Sequence, residues 1–269
     1  MMKLLAVDLD GTCLDHTDIL RPSVLEALHR AHQNGVTVAV STGRNLLGIP
    51  AALRQCGFVR WCITSNGAAI YDLETGAAVE EQSIPVETAA MLLTTIRDMG
   101  YPTSVTVGPD VIDCDRDVYD VRHSFFHDYA ESLFADDLAA YVRWRGKDPA
   151  KVHVLYMRRL DGTPVEAFLK TVPGITFTGH VKGHHEIVSE GVDKGAALLR
   201  LCARLGVTAA ETAAIGDSEN DLTMLRASGL SVAMGNAPEA IRRAARFTTA
   251  DCDHDGVPQA VDMLLSERY

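Results

Sequence analysis

The chain has 269 residues, 47% of them hydrophobic, and sets 36 acidic against 25 basic side chains for a net charge of −11. The apolar content suffices for one large core or two smaller ones. The acidic balance argues against a nucleic-acid backbone or an anionic membrane surface as the main partner, though not against a small phosphate ester, because a bound cation reverses the local field.

Residues 3–7 read as a short buried strand ending in "DLDGTCLD", which places Asp8 and Asp10 where the strand runs out. A lone buried carboxylate costs several kcal/mol, about 3–5 when its partner is missing, so these acids call for a counter-charge. "RPSVLEALHRAHQNG" follows as a helix, with Pro22 in its first turn, Val24, Leu28 and Ala31 on one face and Gly35 at its stop. "VTVAVSTGR" is a second buried strand ending at Ser41 or Thr42. A helix around 46–55 and the strand of "VRWCITSNGAAIYD", with its Asn-Gly turn, complete a βαβαβ run. Such alternation predicts a parallel sheet with helices on its faces.

From about 84 to 186 the pattern changes to mixed α+β. The spacing predicts a helix over 87–99, a hairpin in "TSVTVGPDVIDCD" and a charged, aromatic helical region over 118–146, in which Tyr141 and Trp144 share a packing face. The strand "KVHVLYMRR", a helix over 163–171, and the strands "ITFTGH" and "HEIVS" follow. From residue 187 the βα alternation resumes. Asp193 caps a helix with Ala197, Leu198, Leu201 and Leu205 on one face and Gly206 at its end. "TAAIGD" is a strand, "SENDLTMLRAS" a helix, "LSVAMG" a strand, and "PEAIRRAAR" and "DGVPQAVDMLLSER" are helices. The division expected is a discontinuous core, 1–83 with 187–269, carrying an inserted cap, 84–186.

Six cysteines without a C-x-x-C pair are expected to be reduced thiols of a cytoplasmic protein. The first residues read as strand and loop rather than as a signal peptide, and no run reaches the roughly 18 apolar residues that span a bilayer.

Ligands of parallel α/β sheets gather at the carboxyl ends of the strands. Asp8, Asp10, Thr42, Asn66 and Asp217 all fall at such ends, and Lys194 lies in the first turn of the helix preceding the Asp217 strand. Hard oxygen donors in this number suit Mg²⁺. A lysine in a first helical turn opposes the helix dipole, which is reasonable if it faces an anion. Two further clusters read as decoys. Asp251, Asp253 and Asp255 in "DCDHDG" imitate a calcium loop, but position twelve is Asp262 and Pro258 intrudes. His180, His184, His185 and Glu186 suggest zinc, against a plainer reading as polar cap residues.

"DLDGTCLD", "STGR", "GVDKG" and "GDSENDLTML", in that order and with "SNGA" and "DGV" beside them, resemble the four motifs of the haloacid dehalogenase-like hydrolases, in the Cof-type, class IIB branch of small-molecule phosphatases. The resemblance implies an α/β fold with a Rossmann-like parallel-sheet core and an inserted α+β cap of the C2B type. It implies Asp8 as nucleophile, forming an aspartyl-phosphate, and Asp10 as acid and base. Thr42, Gly43 and Lys194 would hold phosphate, with Asn220 and, less clearly, Asn66. Arg44 would reach substrate or brace the cap. Mg²⁺ would sit among Asp8, Asp10, Asp217 and Asp221. The implied partner is a small phosphorylated metabolite such as a sugar phosphate, handled by a monomer or small homo-oligomer. A phosphomutase of the same fold and a non-catalytic phosphoryl-binding module stand as alternatives.

Overall fold

The computed structural model describes residues 2–114, 133–156, 161–178 and 183–266. The chain divides into two compact units, one of Met1–Gly43, Ile49–Glu80 and Asp193–Tyr269, the other of Arg44–Gly48 and Glu81–Val192.

In the first unit, β1 (Leu4–Val7) is buried along its whole length because it lies inside a parallel sheet covered on both faces. Helix α1 (Pro22–Gln33) leads to β2 (Thr37–Ser41), and a short α2 (Ala51–Arg54) to β3 (Val59–Thr64). The helix expected over 46–55 is interrupted: a 3-10 turn at Leu46–Gly48 stops before Pro50, which has no N–H to continue it. The stretch "VRWCITSNGAAIYD" holds the expected strand and its Asn-Gly turn, with a further strand beyond the turn. A 3-10 turn at Ser65–Gly67 reverses the chain, so β4 (Ala69–Asp72) runs antiparallel to β3 before β5 (Ala77–Glu81).

The second unit builds its own sheet from β6 (Thr103–Val107), β7 (Asp110–Asp113), β8 (Leu133–Phe134), β9 (Lys151–Leu155), β10 (Ile175–Phe177) and β11 (His184–Ser189). Among the described residues its order is β10-β11-β9-β6-β7-β8, and β6 and β7 are the expected antiparallel pair. Helices α3 (Val86–Asp98), α4 (Leu138–Arg145) and α5 (Thr163–Leu169) bury Leu92, Ile96, Val142 and Val165 with Val105, Val152 and Ile187 of the sheet. Residues 118–132 of the helical region expected over 118–146 lie outside the described residues, as do 157–160 and His180. Tyr141 packs on this core and its ring lies 5.8 Å from that of Trp144, which is itself 76% exposed. This unit runs to Val192, beyond the 186 expected, because β11 pairs along its length with β9 and β10.

The chain returns to the first unit through α6 (Lys194–Leu205), β12 (Thr212–Gly216), α7 (Leu222–Ala227), β13 (Leu230–Ala233), α8 (Glu239–Ala244), β14 (Phe247–Thr248) and α9 (Gly256–Ser266). Its strand order among the described residues is β14-β13-β12-β1-β2-β3-β4-β5, parallel from β14 to β3. One face packs Leu4, Ala6, Ala39 and Ile63 against Leu198 and Leu201 of α6 and Met224 and Leu225 of α7. Helices α1 and α9 lie against each other, with α1 touching β2 and α9 touching β12. β12 and β1 are therefore central neighbours, and residues that follow them in sequence share one end of the sheet. Among the described residues no helix is long and apolar enough to cross a membrane.

Candidate active site

Asp8 follows β1, and its N–H donates to Ile215 O of β12 at 3.0 Å, which sets the first motif beside the end of that strand. Lys194 opens α6, whose N-cap Asp193 accepts from Ala196 N at 2.8 Å. Although charged, Lys194 is 1% exposed. Its Nζ donates to Asp8 Oδ1 at 2.6 Å and to Asp221 Oδ1 at 2.7 Å. The anion that a lysine in this first turn calls for is thus a pair of carboxylates.

Asp221 is fully buried and uses both its oxygens. Besides Lys194 on Oδ1, its Oδ2 accepts from Asp217 N and Ser218 N, each at 3.0 Å, and folds the loop after β12. One oxygen from each of Asp8, Asp217 and Asp221 lies within 4.8 Å of the others, forming the potential metal-holding group among the described residues. The Asp10 side chain is exposed and stands outside that group.

Burial pushes the Asp8 carboxyl well above the ordinary range; Asp221 adds repulsion, and Lys194 only partly offsets the two. Burial also opposes the Lys194 ammonium, but Asp221 and Asp8 outweigh it and hold its pKa above the usual value. Three carboxylates against one ammonium leave a negative excess that a divalent cation neutralises, and the donors are the hard oxygens such a cation takes. The residues fit the metal. Cys13, close by, is buried, and burial pushes its thiol up, so it packs and is no nucleophile.

Thr42 and Asn66 meet at the ends of the next strands. Thr42 N donates to Ile63 O at 2.9 Å, and Asn66 N to Thr42 O at 3.1 Å. Ser65, Asn66 and Gly67 have φ of 50°, 58° and 103°, three successive residues in a region that L side chains avoid. Gly67 is demanded by space as well, since a Cβ there would overlap Asp193 O. Asn66 Oδ1 accepts from Asn220 Nδ2 at 3.0 Å, and Asn220 Oδ1 accepts from Ser218 Oγ at 2.6 Å. These contacts join the "SNGA" and "GDSENDLTML" stretches. Gly43 closes a segment of this unit, while Arg44 belongs to the second unit, where its guanidinium donates to Gly48 O at 3.1 Å.

Two site residues escape the sequence reading. Ser218 hydroxyl donates to Asn220, and Asn236 Nδ2 donates to Asp217 Oδ2 at 3.1 Å. Asn236 follows β13, so the strand-end rule that finds Asp217 covers it also.

The decoys resolve through their partners. Asp251 accepts from His254 Nδ1 at 2.7 Å, Asp253 pairs with His16 at 2.7 Å, and Asp255 accepts from Ser23 Oγ at 2.7 Å, so these acids tie loops together. On β11, His185 is buried and donates to Thr178 O at 2.7 Å, His184 lies edge-on to His153, and Glu186 pairs with Lys151. Neither cluster forms a metal-holding group among the described residues.

The sequence model of the haloacid dehalogenase-like hydrolases matches residues 5–261. Phosphatase YwpJ of Bacillus subtilis is 30% identical over 98% of this chain and 100% of its own length. From the same organism, the 5-amino-6-(5-phospho-D-ribitylamino)uracil phosphatase YcsE is 26% identical over 97% of this chain and 94% of its own. The solved structure of a haloacid dehalogenase-like hydrolase from B. subtilis superposes with a TM-score of 0.87 at 29% identity, covering 98% of this chain and 100% of that one.

Proposed function

This chain belongs to the haloacid dehalogenase-like hydrolase family and is a phosphatase, and on that premise we propose that it hydrolyses a small-molecule phosphate monoester, with Mg²⁺, through an aspartyl-phosphate on Asp8. The observation that carries the reading is the buried Lys194 ammonium between Asp8 and Asp221, with the Asp217 carboxylate beside them.

A carboxylate is a poor nucleophile toward a phosphate dianion because both are negative. Bound Mg²⁺ would neutralise part of that charge and stabilise the equatorial oxygens of the transferring group. Asp8, Asp10, Asp217 and Asp221 are the residues assigned to hold it, and the carboxylates of Asp8, Asp217 and Asp221 lie within 4.8 Å of one another. Asp8 attacks phosphorus, forming an O–P bond as the ester O–P bond breaks, and Asp10 gives its proton to the departing alkoxide. Water then attacks the same phosphorus and returns a proton to Asp10. The Asp8–phosphorus bond breaks, and inorganic phosphate leaves. The exposure of Asp10 suits a group that exchanges protons with each new leaving group and water. Thr42, the Gly43 backbone, Asn66 and Asn220 are assigned to the phosphate oxygens.

YcsE, by its name, acts on a phosphoribityl ester, and the substrate here is assigned to the same broad class, a sugar phosphate or related metabolite. Residues 84–186 are assigned the part of a cap that selects the leaving group. Substitutions there should change turnover of polyol phosphates more than turnover of a small activated ester.

The test is rapid-quench labelling of Asp8→Asn and Asp10→Asn with an aryl phosphate and Mg²⁺. Asp8→Asn should form no phosphoryl-enzyme. Asp10→Asn should label residue 8 and hold the label, because no base activates water. Label on another residue, or equal loss of labelling in both variants, overturns the assignment. Undiminished turnover after exhaustive chelation overturns the metal.

A further inference from the structure

Asn236 spends its whole side-chain amide on three separate segments. Nδ2 donates to Gly11 O at 2.9 Å and to Asp217 Oδ2 at 3.1 Å, while Oδ1 accepts from Cys252 N at 3.1 Å. The orientation of the amide follows from its neighbours. Turned over, its oxygen would face two acceptors and its nitrogen a donor. Only a group with donor and acceptor on one planar end meets all three demands. Aspartate would bring a second charge against Asp217, and leucine would meet none of them. The loop carrying Asn236 is itself held in place, since Met234 N donates to Gly216 O and Gly235 N to Ala250 O, each at 3.0 Å.

We propose that Asn236 is a positioning residue that fixes the rotation of the Asp217 carboxylate and thereby sets the affinity of the site for its divalent cation. The inference rests on the reading of Asp217 as a cation-holding residue. A carboxylate on a short side chain turns about one bond, and each turn changes which oxygen faces Asp8. The Thr12 hydroxyl reaches Asp217 Oδ1 at 3.5 Å, a longer contact than the 3.1 Å bond from Asn236 to Oδ2. The same amide grips the Gly11 carbonyl, one residue beyond Asp10 and three beyond Asp8, so the first motif and Asp217 share one anchor.

The experiment is a thermodynamic cycle read by Mn²⁺ binding, followed by electron paramagnetic resonance on protein without substrate. It compares the parent, Asn236→Ala, Asp217→Ala and the double variant, with thermal melts alongside. Partners that orient a metal-holding side chain are worth about 10–100-fold in affinity, and Asn236→Ala should weaken Mn²⁺ binding within that range while remaining folded. In the Asp217→Ala background the same substitution should change affinity by less than about twofold, because the group it acts through is gone. Asn236→Ser, a smaller perturbation, gives the same comparison should the alanine variant melt early. Mn²⁺ affinity unchanged by Asn236→Ala but weakened by Asp217→Ala overturns the proposal. Equal losses in both backgrounds overturn it too, by showing that Asn236 acts through Gly11 or Cys252. Affinity unchanged by Asp217→Ala itself overturns the underlying reading of the site.

Discussion

The Lys194 ammonium lies 2.6 Å from Asp8 Oδ1, a contact that spans 186 residues of sequence and is almost sealed from solvent. Removing one member of a buried charge set leaves the others uncompensated, at about 3–5 kcal/mol. Lys194→Met should therefore cost stability on that scale in urea unfolding and abolish turnover. Lys194→Arg should restore neither, because the wider guanidinium has no room where lysine is 1% exposed.

Gly11 has φ +76°, and a Cβ there would stand 2.6 Å from Asp217 Oδ2. Gly11→Ala should lose about 1–2 kcal/mol from the backbone conformation alone. It should also push the Asp217 carboxylate aside and raise the divalent-cation concentration needed for half-maximal turnover. Metal titrations of the folded variant check the second effect independently of the first.

Asn66 holds a left-handed conformation and accepts from Asn220. Asn66→Ala should be less stable by about 1 kcal/mol, since alanine tolerates that conformation poorly. Asn66→Gly should keep or gain stability because glycine adopts it freely. Both should lose activity, because neither supplies the amide. Chemical denaturation beside kinetics distinguishes strain from function.

Asp15 accepts from Thr17 Oγ1 at 2.6 Å, Thr17 N at 2.9 Å, Ile19 N at 3.1 Å and Arg21 Nε at 3.2 Å. The Thr17 hydroxyl, foremost among these, lowers its pKa to about 2. A carboxyl held below its unfolded value stabilises the fold above that value, and the contribution fades as pH falls from about 4 toward the folded pKa. Glu211 is also lowered to about 2, chiefly by Lys3. Asp15→Asn should thus flatten, without abolishing, the loss of stability between about pH 4 and pH 2 in unfolding curves at stepped pH.

Much of this was written locally. Apolar runs with their stops mark β1, α1, β2, α6 and β12, because periodicity and capping depend on neighbours a few residues away. The same patterns put Asp8, Thr42 and Asp217 at strand ends, and the break in βα alternation marks where a second sheet begins. Where a reversal or a breaker intervened, the local pattern fell short. The Asn-Gly turn is legible where it stands but the antiparallel strand beyond it is not, and Pro50 divided the helix expected over 46–55.

Pairing is a different matter, because it depends on which strand ends become neighbours. No local signal joins Lys194 to Asp221, holds Asp10 out in solvent, or brings Asn236 to Gly11 across 225 residues. Those relations arise when β12 seats beside β1 and β13 beside β12, which carries the loops after all three strands to one end of the sheet. The sequence alone determined which residue types stand at the strand ends and that a cation or an ammonium had to join them. The tertiary structure alone decided which carboxylate Lys194 neutralises and which amide holds Asp217, because buried charge and hydrogen bonding are settled by contacts that sequence distance does not encode.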